Sequence, residues 1–221
     1  MSINEFHFRD FILFAGLEDQ ELELLKACTV VQRMKKNKFV YLPGDRNANI
    51  YLLREGFVKL GTITETGDEM IYNILGAGEI FGHFGLKNEP GEYAQTMADS
   101  EMYSIRQSDF EGFLESKPRL STRFVKIVNE RLKKTERKLS HFVFMDSRSR
   151  VLEMLQDLGK EGERNGDYII IENILTHQEI ASLTATSRQT VSAILSDLKI
   201  KGVINYDRKR IYLPANLSAL V

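Results

Sequence analysis

The sequence predicts an α+β protein: an N-terminal antiparallel β unit, one long helix, and a C-terminal winged helix-turn-helix. Three observations carry this. Nine of the 15 glycines fall between Gly44 and Gly91, where they separate short apolar runs. From Val125 to Phe142 apolar residues recur in alternating steps of three and four. Between Thr176 and Leu195, capping residues, a small residue and two apolar faces stand at the spacing of a helical hairpin, and a basic turn follows.

Composition sets the limits. The chain has 221 residues, 43% hydrophobic and 28% charged, the mix of a soluble globular protein with room for a core. Thirty basic residues against 31 acidic ones name no partner by bulk charge. The single cysteine, Cys28, excludes an intrachain disulfide, a cysteine-rich zinc site and a four-cysteine iron–sulfur cluster. No apolar run approaches the roughly 18 residues of a membrane span. Glu5, Arg9 and Asp10 interrupt the first apolar stretch, unlike a signal peptide. The expectation is a reduced, cytoplasmic protein without a membrane partner. Charge is unevenly spread: residues 1–117 hold 12 Lys/Arg against 19 Asp/Glu, whereas residues 118–146 hold 8 against 3. An acidic front and a basic middle prompt a search for nucleic-acid contact.

The β unit reads as strands at Val30 to Met34, Phe39 to Leu42, Ile50 to Leu53, Phe57 to Leu60, Met70 to Leu75 and Met97 to Ile105. Short helices flank it, Glu21 to Ala27 before and Phe110 to Glu115 after, the second opened by a Ser108/Glu111 capping box. After Pro118 comes the long helix. Val125, Val128, Leu132, Thr135, Leu139 and Phe142 form an a/d seam, which predicts a homodimer. Lys126, Arg131, Lys133, Lys134, Arg137 and Lys138 fill its other faces and read as solvated. Asp146 or Ser147 caps a further helix through Leu158; Gly159 to Gly166 reads as a polar loop and Tyr168 to Ile171 as a strand. The domains are thus residues 1–117, the helix and hinge 118–146, and residues 147–221.

The informative stretch begins at Thr176, which forms a capping box with Glu179. Ile180 and Leu183 face inward, and Ala181 is small where a second helix crosses. Ser187 caps that helix; Val191, Ile194, Leu195 and Leu198 bury it, while Arg188, Gln189, Ser192 and Ala193 face outward. In such a motif the N-terminal turn of the second helix enters the major groove. Arg188 suits guanine or a phosphate and Gln189 suits adenine. Ser187 and Thr190 offer hydroxyls to phosphates. The following hairpin carries Arg208 and Lys209 at its tip, and residues 176–221 hold six Lys/Arg against three acids, as phosphate contact needs. Ala185 departs from the pattern, standing where the turn usually has glycine.

The whole chain, from about residue 10 to 215, resembles the Crp/Fnr superfamily of bacterial transcription regulators. The match rests on Gly78-Glu79-Ile80-Phe81-Gly82 and Gly85-Leu86, on Phe144-Met145-Asp146, and on Thr186-Ser187-Arg188-Gln189-Thr190-Val191. The resemblance implies a cyclic-nucleotide-binding-type β-roll, a dimerisation helix and a winged helix. Its implied partners are an inverted-repeat operator in double-stranded DNA, a second copy of the chain, RNA polymerase and a small-molecule effector. It also implies DNA contacts at Thr176, His177, Gln178, Ser187, Arg188, Gln189, Thr190, Ser192, Arg208 and Lys209.

The effector pocket implied by the same resemblance comprises Gly82, His83, Tyr93, Ala94 and Thr135. Nucleotide-binding members carry glutamate at the His83 position, and an arginine–serine pair at Tyr93 and Ala94 that grips the cyclic phosphate. Without that charged fork, cyclic AMP loses hydrogen bonds of about 1.5–3 kcal/mol each. These losses argue against cyclic AMP. His83 matches a haem-ligating histidine of a gas sensor in the superfamily, so a haem, another small ligand or none stay open, and no cofactor is assured. A ligand-binding signalling module that does not touch DNA is the competing class. The four histidines and Cys28 form no triad, metal-ligand spacing or phosphate loop, so an enzyme is not expected.

Overall fold

The computed structural model describes residues 7–45, 49–67, 69–82, 84, 91–160 and 162–215. Residues 1–133 and 134–221 form two compact units, divided within the long helix.

In the first unit two four-stranded antiparallel sheets pack together. One orders β1 (Thr29–Met34), β8 (Ser100–Arg106), β3 (Asn49–Glu55) and β6 (Ile80–Gly82). The other orders β2 (Phe39–Tyr41), β7 (Glu92–Thr96), β4 (Val58–Ile63) and β5 (Glu69–Leu75). Side chains alternate across a strand, so four consecutive buried residues on β3 mean that its sheet is covered on both faces. Tyr51 and Leu53 face the second sheet, where they meet Tyr41, Leu60 and Ala94. Ile50 and Leu52 face the other way, into Phe8, Phe11 and Phe14 of the N-terminal segment and the helices that follow. These helices are α1 (Asp19–Ala27), α2 (Gln107–Ser116) and the first half of α3 (Pro118–Phe144), which contributes Leu120, Phe124 and Ile127. Each such aromatic or aliphatic side chain contributes about 1.5–3 kcal/mol by leaving water.

Glu101 ties three strands of the first sheet. On β8, its carboxylate accepts from Arg33 Nε on β1 at 2.6 Å and from Arg54 on β3. The Arg33 bond, with that of Arg54, holds the carboxyl below the usual glutamate range.

Several expected boundaries move. The Ser108/Glu111 cap does not form: β8 runs straight into α2, Arg106 precedes its first turn, and no side chain caps it. Ser108 is already inside the helix. The strand expected from Met97 starts at Ser100, because Met97 to Asp99 make a turn in which Asp99 accepts from the backbone of Lys36. β6 is three residues long and β7 mixes polar with apolar residues, so neither stands out by pattern.

The second unit holds the end of α3, then α4 (Ser147–Gly159), β9 (Glu163–Asn165), β10 (Tyr168–Glu172), α5 (His177–Thr184), α6 (Arg188–Ile200), β11 (Asn205–Tyr206) and β12 (Arg210–Pro214). Its sheet runs β11-β12-β10-β9. Asp146 is the residue that caps α4, accepting from the Ser149 amide at 2.8 Å. The expected polar loop contains β9, paired to β10 through the two-residue turn Gly166-Asp167. Gly166 sits at φ +61°, and glycine first in such a loop is a hairpin signal that the composition of the segment hid.

Between α5 and α6 the chain reverses at Ala185, in the left-handed region at φ +48° and ψ +55°. The reversal is closed by the Thr186 amide donating to Ala181 at 3.0 Å. The Thr176/Glu179 box and the Ser187 cap form as the sequence predicts, and Ile180, Ala181, Val191, Ile194, Leu195 and Leu198 are buried.

Two predictions follow from this packing. The folded-state carboxyl of Glu101 titrates lower than in the unfolded chain, so its contribution is full above about pH 4.5 and is lost as pH falls through the lowered value. Glu101→Gln should therefore flatten the acid limb of stability measured by chemical denaturation between pH 3 and 6, and an unchanged acid limb would contradict the clamp. Left-handed backbone costs a non-glycine residue about 1–2 kcal/mol, partly offset by glycine's unfolded-state entropy. Ala185→Gly should hold or raise the melting temperature of the second unit, whereas Ala185→Val should lower it; a clear loss with glycine would contradict the strained reversal.

Candidate nucleic-acid interface

Arg188 and Gln189 occupy the first turn of α6 with exposed side chains. Among the described residues neither side chain makes a hydrogen bond or ion pair. The helix end is built around them. Ser187 Oγ accepts from the Thr190 amide at 3.1 Å and shares a 2.8 Å bond with the Thr190 hydroxyl. The remaining first-turn amides have no partner within the helix and carry its positive dipole end, a setting suited to a phosphate.

The crossing of α5 and α6 is fixed from both sides. His177 Nδ1 lies 2.8 Å from Ser192 Oγ, and that hydroxyl donates to the Arg188 carbonyl at 2.9 Å. With its one proton committed there, Ser192 must accept from His177, which puts the imidazole proton on Nδ1 and leaves Nε2 as an acceptor when the ring is neutral. Ser192, expected to face outward, is thus half-buried and engaged within the motif. Thr176 is taken up by the box with Glu179, and Gln178 is exposed beside it. From α4, Arg148 reaches Asp197 on α6 at 2.6 Å; this bond, with Lys201, holds the Asp197 carboxyl below its usual range.

The hairpin of β11 and β12 projects Arg208 and Lys209 from a tight turn. Asp207 accepts from the amides of Lys209 and Arg210 at 2.7 and 2.9 Å, which lowers its carboxyl and throws both basic side chains into solvent. Two residues not singled out in the sequence hold this wing in place. Asn173 donates to the Asp207 carbonyl at 2.6 Å, and Lys199 of α6 donates to the Tyr206 carbonyl at 2.9 Å while lying over the Tyr206 ring. A lysine in the last turn of an amphipathic helix, next to its final residue, is the available signal for the second.

Of the expected effector residues, Gly82, Tyr93, Ala94 and Thr135 are described. Gly82 is sterically required: at φ +115° a Cβ would lie 2.3 Å from the Asn49 carbonyl. His83, Gly85 and Leu86 lie outside the described residues. Tyr93 and Ala94 point to opposite faces of β7. Ala94 lies between the sheets beside Tyr41 and Tyr51, whereas Tyr93 is fully buried on the other face. There it packs edge-on to Phe39 and donates to Glu69, which also pairs with Lys59 at 3.0 Å. Gly61 makes room for it, since a Cβ there would sit 2.6 Å from the Tyr93 hydroxyl. Two residues before Ala94, the Glu92 carboxylate accepts from Tyr41 at 3.1 Å and from Tyr72, and burial pushes both phenols upward. Thr135 is exposed on α3 in the second unit. Among the described residues no group of three His, Cys, Asp or Glu side chains is placed to hold a metal ion.

Along α3, Val125, Val128, Leu132 and Leu139 are exposed at 64%, 46%, 54% and 58%, an uncovered apolar line. Phe142, expected in the same seam, is half-buried with the Arg150 guanidinium 5.9 Å from its ring centre. The basic residues expected to be solvated are partly engaged. Arg131 donates to the Ile80 carbonyl, one terminal nitrogen of Arg137 donates to both Asp157 carboxylate oxygens at 3.0 and 3.1 Å, and burial depresses Lys138 to about 8 against the pull of Asp157. Among the described residues no helix is long and apolar enough to cross a membrane.

Comparison with known proteins places these features. Residues 31–117 match the cyclic nucleotide-binding domain and residues 149–220 the Crp-like helix-turn-helix domain. The chain is 30% identical over 196 residues to the global nitrogen regulator of Nostoc sp., covering 86% of this chain and 88% of that one. It is 25% identical over 205 residues to the CRP-like cAMP-activated global transcriptional regulator of Mycobacterium tuberculosis, covering 91% of each. Among solved structures it is similar to a CooA variant from Carboxydothermus hydrogenoformans, with a TM-score of 0.77 and 26% identity over 95% of this chain and 93% of that one. These are regulators rather than enzymes. With a β-roll, a long helix and a winged helix whose reading face is open, the chain belongs to the Crp/Fnr family of DNA-binding transcription regulators.

Proposed function

We propose that the chain acts as a cytoplasmic homodimer that reads an inverted-repeat operator, and that its β-roll answers to a signal other than cyclic AMP. The observation that carries the DNA reading is the pair Arg188 and Gln189, exposed on the first turn of α6 with their donors uncommitted among the described residues. Arginine can fork onto guanine O6 and N7, and glutamine onto adenine N6 and N7. Thr176, His177 and Ser192 brace the hairpin from within, Gln178, Ser187 and Thr190 orient the helix on the backbone, and Arg208 and Lys209 add phosphate contacts from the wing. The bare line Val125, Val128, Leu132 and Leu139 supports pairing of two α3 helices, because apolar residues at a/d spacing are buried by a partner helix. Residues 118–146 then serve as dimerisation helix and hinge between the sensor and the DNA-binding parts. Contact with RNA polymerase belongs to the same reading.

Against cyclic AMP stands the chemistry of β7. A cyclic phosphate is an anion, and the side chains here are Glu92, a tyrosine committed to Glu69 on the opposite face, and an alanine. A carboxylate without a forked cation repels a phosphate rather than binding it.

Arg188→Ala and Gln189→Ala should each lower discrimination between the preferred duplex and a single-base variant by about 1–3 kcal/mol. Lys209→Ala should weaken binding to all duplexes alike and reduce the salt slope by about one. Equilibrium binding across a salt series reads both, and unchanged base preference in both α6 variants would sink the proposal.

A further inference from the structure

We infer that Arg150 is a positioning residue that fastens the turn of the helix-turn-helix to the end of the long helix, so that the direction of α6 follows α3. The inference rests on the DNA-binding reading for its consequence but on geometry for its content. Arg150 lies in the first turn of α4 and its guanidinium is shared among three elements. Nε donates to the Thr184 carbonyl at 2.7 Å, and one terminal nitrogen donates to the Met145 carbonyl at 2.6 Å. The other donates to the Ala185 carbonyl at 3.1 Å and reaches Ser147 Oγ at 3.4 Å.

The carbonyls chosen are not arbitrary. Met145 closes α3, its amide still bonded to His141, while Thr184 and Ala185 end α5. Both are helix C-termini, where carbonyls lack intrahelical partners and the dipole end is negative, so one cation satisfies two ends at once. The guanidinium carbon lies over the Phe142 ring, 5.9 Å from its centre and one turn back on α3. Ser147 adds a second strand to the tie, accepting from the Thr186 hydroxyl at 3.3 Å. The carbonyls gripped flank the left-handed reversal that aims α6. A planar fork can hold three acceptors in a fixed arrangement, whereas a lysine ammonium cannot reproduce it.

The test uses the full-length chain and its Arg150→Lys and Arg150→Gln variants, well below their melting temperatures. Affinities for the preferred and a scrambled duplex are measured over a salt series, alongside hydrogen–deuterium exchange. In Arg150→Lys the ratio of the two affinities should fall about tenfold or more, comparable with one mismatched base pair, at an unchanged salt slope. Exchange at the Thr186 amide should rise severalfold while amides of Val191 to Leu198 hold. A merely structural role predicts a lower melting temperature, a uniform rise in exchange and an intact ratio, and that outcome overturns the assignment. So does either folded variant that matches the unmodified chain in both readouts. If the unmodified chain prefers no duplex, the DNA reading fails separately, and the exchange contrast at the turn decides the role of Arg150 alone.

Discussion

Ala185 turns the chain from α5 into α6 in the left-handed region, and the presentation of the reading helix depends on that one reversal. Because the turn is tight, Ala181 can press against α6 and His177 can reach Ser192. A residue with a Cβ is strained in this conformation, so its neighbours must hold it. They do so through the Thr186 amide, the Ser187 cap and the carbonyls gripped by Arg150. The motif spends its internal polar groups on fixing itself and leaves Arg188 and Gln189 outside that network. That division of labour, with some side chains locking the frame and others left open, is what a base-reading surface needs.

The roll follows a different logic. Its polar groups satisfy one another: Tyr93 with Glu69 and Lys59 on one face of β7, Tyr41 and Tyr72 with Glu92 on the other. The fold of a nucleotide-binding domain is retained, including the glycine at 82 that lets β6 approach β3.

Much of this was legible in the sequence because the signals are local. Thr176 with Glu179, Ser187, and the apolar spacing of α6 each dictate a cap or a face without reference to the rest of the chain, and all appear where expected. What failed to read depends on tertiary partners. Ser108 looks like a cap only until β8 is known to enter α2 directly. Strand alternation sends Tyr93 and Ala94 to opposite faces of β7, and only the sheet shows which face meets Glu69. Arg150 and Asn173 carry no signal of their own, because a charged or polar residue near a helix or strand end reads as solvated until the carbonyl it reaches is located.

Under the proposed function, two copies of α6 read one duplex together. The most direct measurement is selection of bound sequences from a random duplex pool by the purified chain, followed by footprinting and the mass of the complex. The expected result is an inverted repeat with half-sites one helical turn (~10 bp) or a multiple apart, occupied by two chains. A single unrepeated site bound by one chain, or no enrichment at all, would contradict it.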